Sequence, residues 1–292
     1  MLDELPLALC VKPDPAWPIG KHALMNLKIV RRNGRTEVDP SNWRIPYQWQ
    51  GTHYQDNDDQ PFLLLINSGG GFVEGDVAEL HGNLDAGTRA LITTTAASKF
   101  YKCPGGAVSR EEVHLNVGPD ALLEYYPDES IPFAQSRTER RTQIEITSTS
   151  RLFAVDMVSA GRVHYGSGEV FAFASLLSEF SIKVDGKSAV LDRIVAVDRE
   201  EIQELQSLWQ GAHHAATIVC HDPKLPAGLE DKVEQELSRF DLVASGASRF
   251  GNILSSRILA KEAWHTHEAI QAVWRIVRPH IAGKPAKLIR KC

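Results

Sequence analysis

The chain lacks most of the features that mark a metalloprotein, a nucleotide enzyme or an exported protein. Its four cysteines, Cys10, Cys103, Cys220 and Cys292, stand far apart and form no Cys-x-x-Cys pair. That spacing excludes a structural zinc knuckle and argues against a disulfide framework. Reduced thiols in the cytosol fit it best. No apolar run reaches the roughly 18 residues needed to span a bilayer. The first residues, Met-Leu-Asp-Glu-Leu-Pro-Leu, put acids and Pro6 where a secretory signal needs a basic start and an unbroken apolar core. A soluble, cytoplasmic protein is expected. The 32 basic residues are scattered and outnumbered by 37 acidic ones, a formal charge of −5. Nucleic acid is therefore excluded as a natural partner, and proteins or small cations are favoured.

What is present is a core of ample size, with 43% hydrophobic residues in 292, organised around Leu63 to Asp76. Phe62 to Ile66 has the length and apolar continuity of a buried strand. Gly69, Gly70 and Gly71 follow it, free to take positive φ or to let another backbone come close. A phosphate cradle would need a helix after the glycines. Here Val77 to Leu84 and the β-branched Leu91 to Thr95 predict strand, turn, strand, and no Gly-Lys-Ser/Thr triplet is present. A tight turn that fixes where Asp76 points is the expectation.

Residues 1 to 60 carry Pro6, Pro13, Pro15, Pro18, Pro40 and Pro46, which predicts few long elements beyond short strands such as Ala23 to Val30. The run Asp56-Asn57-Asp58-Asp59 lacks the spacing of a calcium loop and reads as a solvated loop. From Phe62 to Val197, short strands alternate with turn signals. A Gly-x-x-Ala-Leu pattern recurs at Gly87 and Gly118, as if one turn-plus-strand unit were stacked on its neighbour. Asp185-Gly186 predicts a type I′ hairpin between Phe180 to Val184 and Ser188 to Val197. Helices are predicted over Glu201 to Trp209, Gly228 to Phe240 and Trp264 to Val277, the last stopped by Pro279. The fold class is mainly β, or α+β, with no doubly wound sheet.

His213, His214, Cys220 and His221 are the densest group of metal-capable side chains, but Ala215 to Cys220 reads as a buried strand, which leaves Cys220 inert. His265 and His267 point to different faces of a predicted helix. Cys103 has Lys102 beside it and no histidine nearby in sequence, and no Gly-x-Ser-x-Gly elbow occurs, yet a cryptic hydrolase using Cys103 stays open. Asp76, Asp128, Glu129, Asp156 and Asp192 lie beside or within apolar strands, where a charge must pair, meet water or bind a cation. Arg137, Arg140, Arg141, Arg162 and Arg193 are the available partners.

The order of several segments is more telling than any one motif. Asn67 to Asp76, then Ala90 to Tyr101 with its Lys-Phe-Tyr, then Leu123-Glu124-Tyr125-Tyr126-Pro127-Asp128-Glu129, resembles the urease accessory protein UreD family, also called UreH. The likeness continues through Arg151 to Asp156 with Gly161-Arg162, and resumes at Val273-Trp274-Arg275-Ile276-Val277-Arg278-Pro279. The resemblance implies a non-enzymatic scaffold of stacked or helical β-sheet, with many short strands and a few helices chiefly towards the C-terminus. It implies one domain over 1–292: a poorly matching, strand-poor segment 1–60, a β core 62–198 and a helix-containing part 200–292. It also implies apo-urease and UreF as partners, UreG reached through UreF, and nickel in transit through a water-filled channel with no tightly bound cofactor. Asp76, Asp156 and Asp192 match acidic positions expected along that channel, as hard ligands that would hold Ni²⁺ weakly. Glu74, Glu129 and Arg162 are expected at a partner surface or channel mouth. Glu74 stands where the family usually has glycine, and Leu288 to Cys292 departs from the usual ending. A binding module with no metal role is the remaining alternative.

Overall fold

The computed structural model describes residues 20–289, apart from residues 49 and 57. Cys10, Cys292, the first four prolines, Asn57 and the last residues of the atypical ending lie outside the described residues. Along the chain run β1 (His22–Arg32), β2 (Arg35–Arg44), β3 (Tyr47–Gln48), β4 (Phe62–Asn67), β5 (Val77–Leu84), β6 (Arg89–Thr94), β7 (Ser98–Phe100), β8 (Ser109–Val117), β9 (Leu122–Tyr125), β10 (Ser130–Pro132), β11 (Arg137–Ile146), β12 (Arg151–Ser159), β13 (Ser175–Val184) and β14 (Lys187–Ala196). Then come α1 (Arg199–Leu208), β15 (His214–His221), α2 (Leu229–Leu237), β16 (Ala244–Phe250), β17 (Ile253–Ala260) and α3 (Ala263–Ile281).

The strands form two sheets. One has the order β14-β13-β11-β8-β5-β1-β2, and the other runs β16-β17-β15-β12-β9-β6-β4-β3 with β10 and β7 branching from β12. From β4 to β13 the chain shuttles between them, and β4, β6, β9 and β12 are parallel neighbours in one sheet as β5, β8, β11 and β13 are in the other. Parallel neighbours cannot be joined by a tight turn. Each return trip runs through the opposite sheet, so the chain coils and the scaffold is mainly β and helical in its winding, as expected. The Gly87 and Gly118 turns stack, Gly87 N–H donating to Pro119 O at 2.8 Å and Gly118 N–H to Leu84 O at 2.9 Å. The strands beyond them pair Arg89 with Leu122 and Ala90 with Leu123. That register lies two residues beyond the sequence repeat, an even shift that keeps the same faces inward.

Between the sheets Leu80, Val113, Leu115, Phe180 and Ile182 pack against Ile92, Leu123, Ala154 and Val219, all buried. On the far face of the ten-stranded sheet, α2 and α3 lay Val233, Leu237, Val273, Trp274 and Val277 over Phe62, Leu91, Leu122, Phe153 and Ile218. Each such side chain contributes about 1.5–3 kcal/mol by leaving water. A third cluster seats Leu205 of α1 and its C-cap Trp209 on Phe171 and Phe173. One buried carboxylate fixes α3 to the sheet: Glu124, fully buried, accepts from Trp274 Nε1 at 2.6 Å, Arg278 Nε at 3.0 Å and Gln60 Nε2 at 2.8 Å. The Leu-Glu and Trp-Arg segments that carry the family likeness thus meet in one ion-paired contact.

The Asp185-Gly186 hairpin forms, with φ 49° and 74° at the two turn residues. Three expectations are corrected. The N-terminal segment is not strand-poor: β1 and β2 are 11 and 10 residues long and pair antiparallel at one edge of the seven-stranded sheet. Pro279 does not stop α3, which runs on to Ile281. A proline in the final turn removes one N–H only, and Ile281, buried in the helix–sheet core, holds that turn down. The acidic run is no free loop, because Asp56 pairs with Lys284 at 2.7 Å, Lys287 at 2.9 Å and Arg278 at 3.3 Å.

Candidate functional site, a polar layer between the sheets

The apolar filling of the sandwich gives way to polar residues at one end, and strand parity decides which they are. On β8, Glu111 shares its face with Val113, Leu115 and Val117, and on β11, Arg140 shares its face with Thr142 and Ile144. The parallel register makes Ala78, Glu111, Arg140 and Ser178 consecutive neighbours across β5, β8, β11 and β13. From the opposite sheet Asp156, Thr217 and Arg257 are consecutive neighbours across β12, β15 and β17.

The two rows meet across the interior. Arg140 donates from Nη1 to Asp156 Oδ2 at 2.9 Å and to Ser178 Oγ at 2.7 Å, and from Nη2 to Asp156 Oδ1 at 2.5 Å. Burial works against the guanidinium charge, but attraction and hydrogen bonding from Asp156 raise its pKa. At the β14 edge Asp192 accepts from the Thr217 hydroxyl and from Arg257. On the other side of Arg140, Glu111 of the central strand β8 accepts from Tyr47 Oη at 3.3 Å and Ser98 Oγ at 3.1 Å. Burial raises its pKa, partly offset by the Arg140 charge. A cavity of about 80 Å³ opens beside it, lined by Tyr47, Gly70, Gly71, Thr94, Ser98 and Glu111. A larger one of about 460 Å³ opens at the β14 edge, lined by Asp192, Thr217, Arg257, Leu205, Leu208 and Trp209. Glu111 thus lines the smaller cavity, Asp192 and the exposed Arg257 line the larger, and the Arg140–Asp156 pair is buried between the sheets, lining neither.

The glycine cluster supports the smaller cavity. Gly71 has φ 152°, and a Cβ there would sit 2.6 Å from Lys99 O. The close approach lets Phe72 N–H reach Lys99 O at 2.7 Å and stacks Phe72 on Phe100 at 4.6 Å. No helix follows these glycines: the chain passes through a turn into β5.

Of the residues predicted from sequence, Asp156 and Asp192 fall in this layer, each with an arginine partner. The pairing of Asp156 is with Arg140, one of the arginines named from the sequence, and that of Asp192 is with Arg257, which was not; burying a carboxylate without a counter-charge is costly. Asp76 is buried at the turn before β5 and is held by backbone N–H groups of Lys21 at 2.6 Å and Val73 at 2.9 Å. Its neighbour Glu74, also buried, accepts from Gly105 N–H at 2.9 Å and Ala107 N–H at 2.8 Å, and so ties down the 103–107 loop. Glu129 receives His267 Nε2 at 3.1 Å. Arg162 pairs with Glu169 at 2.5 Å and lies over the Phe133 and Tyr165 rings. Glu111, Arg140 and Thr217 were missed as site residues, although their inward parity was a usable signal, and the exposed Arg257 was missed with no such signal.

Neither cysteine nor histidine supplies a preformed cage. Cys220 is buried in the helix–sheet core, His221 meets Ser150 O at 2.8 Å, and His214 meets Ser159 Oγ at 2.8 Å. Among the described residues no three His, Cys, Asp or Glu side chains stand together in a metal-holding group. Cys103 is buried and burial pushes its thiol pKa up. Its contacts are Tyr101 O, Ser109 Oγ and the Arg137 backbone, with no base among the described residues to activate it.

The family model described as UreD urease accessory protein matches residues 21–291. The chain is 29% identical over 277 residues to the Urease accessory protein UreD of Klebsiella aerogenes, covering 94% of this chain and 98% of that one. It is 27% identical over 277 residues to the Urease accessory protein UreD 2 of Brucella suis, covering 92% and 91%.

Proposed function

The chain belongs to the UreD urease accessory protein family, and from that membership we propose that it matures urease by docking to the apo-enzyme and to UreF, reaching UreG through UreF, and passing nickel onward. The cytoplasm is the compartment proposed for this work. The observation that supports the nickel part is the set of charged groups between the sheets, with a cavity beside Glu111 and another beside Asp192. Carboxylates, hydroxyls and water are hard ligands that hold Ni²⁺ loosely enough to release it, whereas a thiolate and imidazole cage would retain it. The role is one of binding and conveyance, with no catalytic residue. Names of the relatives as accessory proteins and the inactivated setting of Cys103 both support it.

A second reading, docking without metal passage, is favoured by the arginine partners of Asp156 and Asp192. Co-expression with urease and its other accessory proteins separates the two. Under the conduit reading Asp156→Asn and Asp192→Asn lower the nickel content and activity of urease several-fold while the complex still assembles. If activation is unchanged in both variants, only docking survives, and if deleting the whole chain changes nothing, the maturation role fails.

A further inference from the structure

The two sheets end out of step beside the larger cavity. β14 is the last strand of the seven-stranded sheet and β16 that of the ten-stranded one. Asp192 of β14 reaches Thr217 of β15 and Arg257 of β17, so β14 lies over this margin of the opposite sheet. Beyond it, Ala244 and Gly246 of β16 stand opposite Leu259 and Arg257 of β17, on the face from which Arg257 reaches Asp192. Ala244 and Arg257 are exposed there, and a Cβ on Gly246 would meet nothing within 4 Å. The ten-stranded sheet therefore runs on past β14 with that face uncovered, and the cavity of about 460 Å³ is the place left open in the seven-stranded layer. Four consecutive residues of β14, Asp192 to Val195, line it. Successive strand residues point to opposite faces, so a space that meets four in a row lies along the edge of the strand. Among the described residues, this edge makes no backbone hydrogen bonds beyond those to β13.

The walls say what fits. Leu205, Leu208 and Trp209, from α1 and its C-cap, line the space with Leu259, and Leu208 is left 70% exposed. The charged groups around it are Asp192, Arg193, Glu201, Glu204 and Arg257. Both arginines are engaged, Arg193 with Glu179 at 2.6 Å and Arg257 with Asp192. The Glu201 carboxylate takes only the Val197 N–H at 2.7 Å, and Glu204 has no partner among the described residues. The charge left without a counter-ion is acidic.

We propose that this place takes an extended segment of a partner protein, apolar at alternate positions and carrying a lysine or arginine, which joins β14 as an eighth strand of its sheet. The proposal rests on the docking part of the function proposed above and deepens it. An open strand edge presents a row of N–H and C=O groups, and an added strand pairs with them whatever its sequence. Selectivity comes from the walls. Alternate side chains of the segment enter between Leu208, Trp209 and Leu259, and its basic group meets Glu201 and Glu204. Covering Leu208 removes an apolar side chain from water that the free protein leaves there.

The test takes the full-length protein and titrates it separately with apo-urease and with UreF, reading affinity and the hydrogen exchange of residues 187–197. With the protein that docks here, exchange over 187–197 should slow at least ten-fold. Leu208→Asp and Glu204→Lys should each weaken that complex at least ten-fold, and the loss in Glu204→Lys should shrink as salt is raised. Both residues are exposed, so both variants should melt within about 2 °C of wild type. Unchanged affinity in both variants overturns the proposal, as does exchange over 187–197 that neither protein slows. If Leu208→Asp loses its cooperative melt, Glu204→Lys and the wild-type exchange decide by the same criteria. If wild type binds neither apo-urease nor UreF, the docking reading itself fails and this proposal falls with it, an outcome distinct from a complex that forms without covering β14.

Discussion

Replacing Arg278 by methionine tests whether α3 is held by charge or by packing. The guanidinium is 3% exposed and donates to both oxygens of the fully buried Glu124, from Nε at 3.0 and 3.3 Å and from Nη2 at 3.1 Å. It also donates to Pro285 O at 2.9 Å and Asp56 at 3.3 Å. Methionine fills the stem volume but leaves Glu124 facing only Trp274 Nε1 and Gln60 Nε2. Breaking one side of a buried pair costs about 3–5 kcal/mol, chiefly because the surviving charge is uncompensated. At roughly 2 °C or more per kcal/mol for a chain of this size, Tm should fall by on the order of 6–15 °C. The companion Glu124→Gln/Arg278→Met removes both charges, and its loss should be smaller than that of Arg278→Met alone. Scanning calorimetry at one protein concentration and pH 7.5 reads both. If Arg278→Met melts within 2 °C of wild type, or if the double variant is the worse of the two, the buried charge does not pin the helix and the apolar contacts of Trp274 and Val277 suffice.

Four other outcomes follow. Burial lowers the His214 pKa to about 4. The unfolded chain takes up the proton near 6.5 and the folded one only near 4, so stability is lost as pH falls through that window, by on the order of 3 kcal/mol. The slope of Tm against pH between 7 and 4.5 should flatten in His214→Gln, and an unchanged slope refutes the assignment. Gly71→Ala, at φ 152° with Lys99 O 2.6 Å from the added carbon, should be markedly less stable than Gly70→Ala, at φ 73° with open space around it; equal melting temperatures would contradict the close approach. Gly70→Ala itself should cost about 1–2 kcal/mol, the cost of the left-handed backbone alone. Cys103→Ala should leave urease activation intact, and Cys103 should react slowly with a thiol reagent in the folded protein; rapid labelling would contradict its burial.

The sequence by itself determined the local elements whose cause is local. Alternating apolar residues and turn residues specify strands, the Asp185-Gly186 pair specifies its hairpin, and the spacing of Leu229, Val233 and Leu237 specifies the buried stripe of α2. The order of the segments was enough for the family, and two of them meet in the contact of Glu124 with Trp274 and Arg278. Register and pairing between sheets were decided only in three dimensions. Whether Asp156 faces an arginine, water or a metal depends on which residue of β11 lies opposite it, and that follows from how the coils stack, over a sequence separation that no local pattern encodes. The same holds for Glu111, an ordinary acid in an Arg-Glu-Glu triplet until parity turns it inward beside Arg140. Side-chain periodicity is a property of one strand, whereas a buried charge takes its meaning from its neighbours across the interior, and so the chain announced its scaffold while the tertiary fold chose its site.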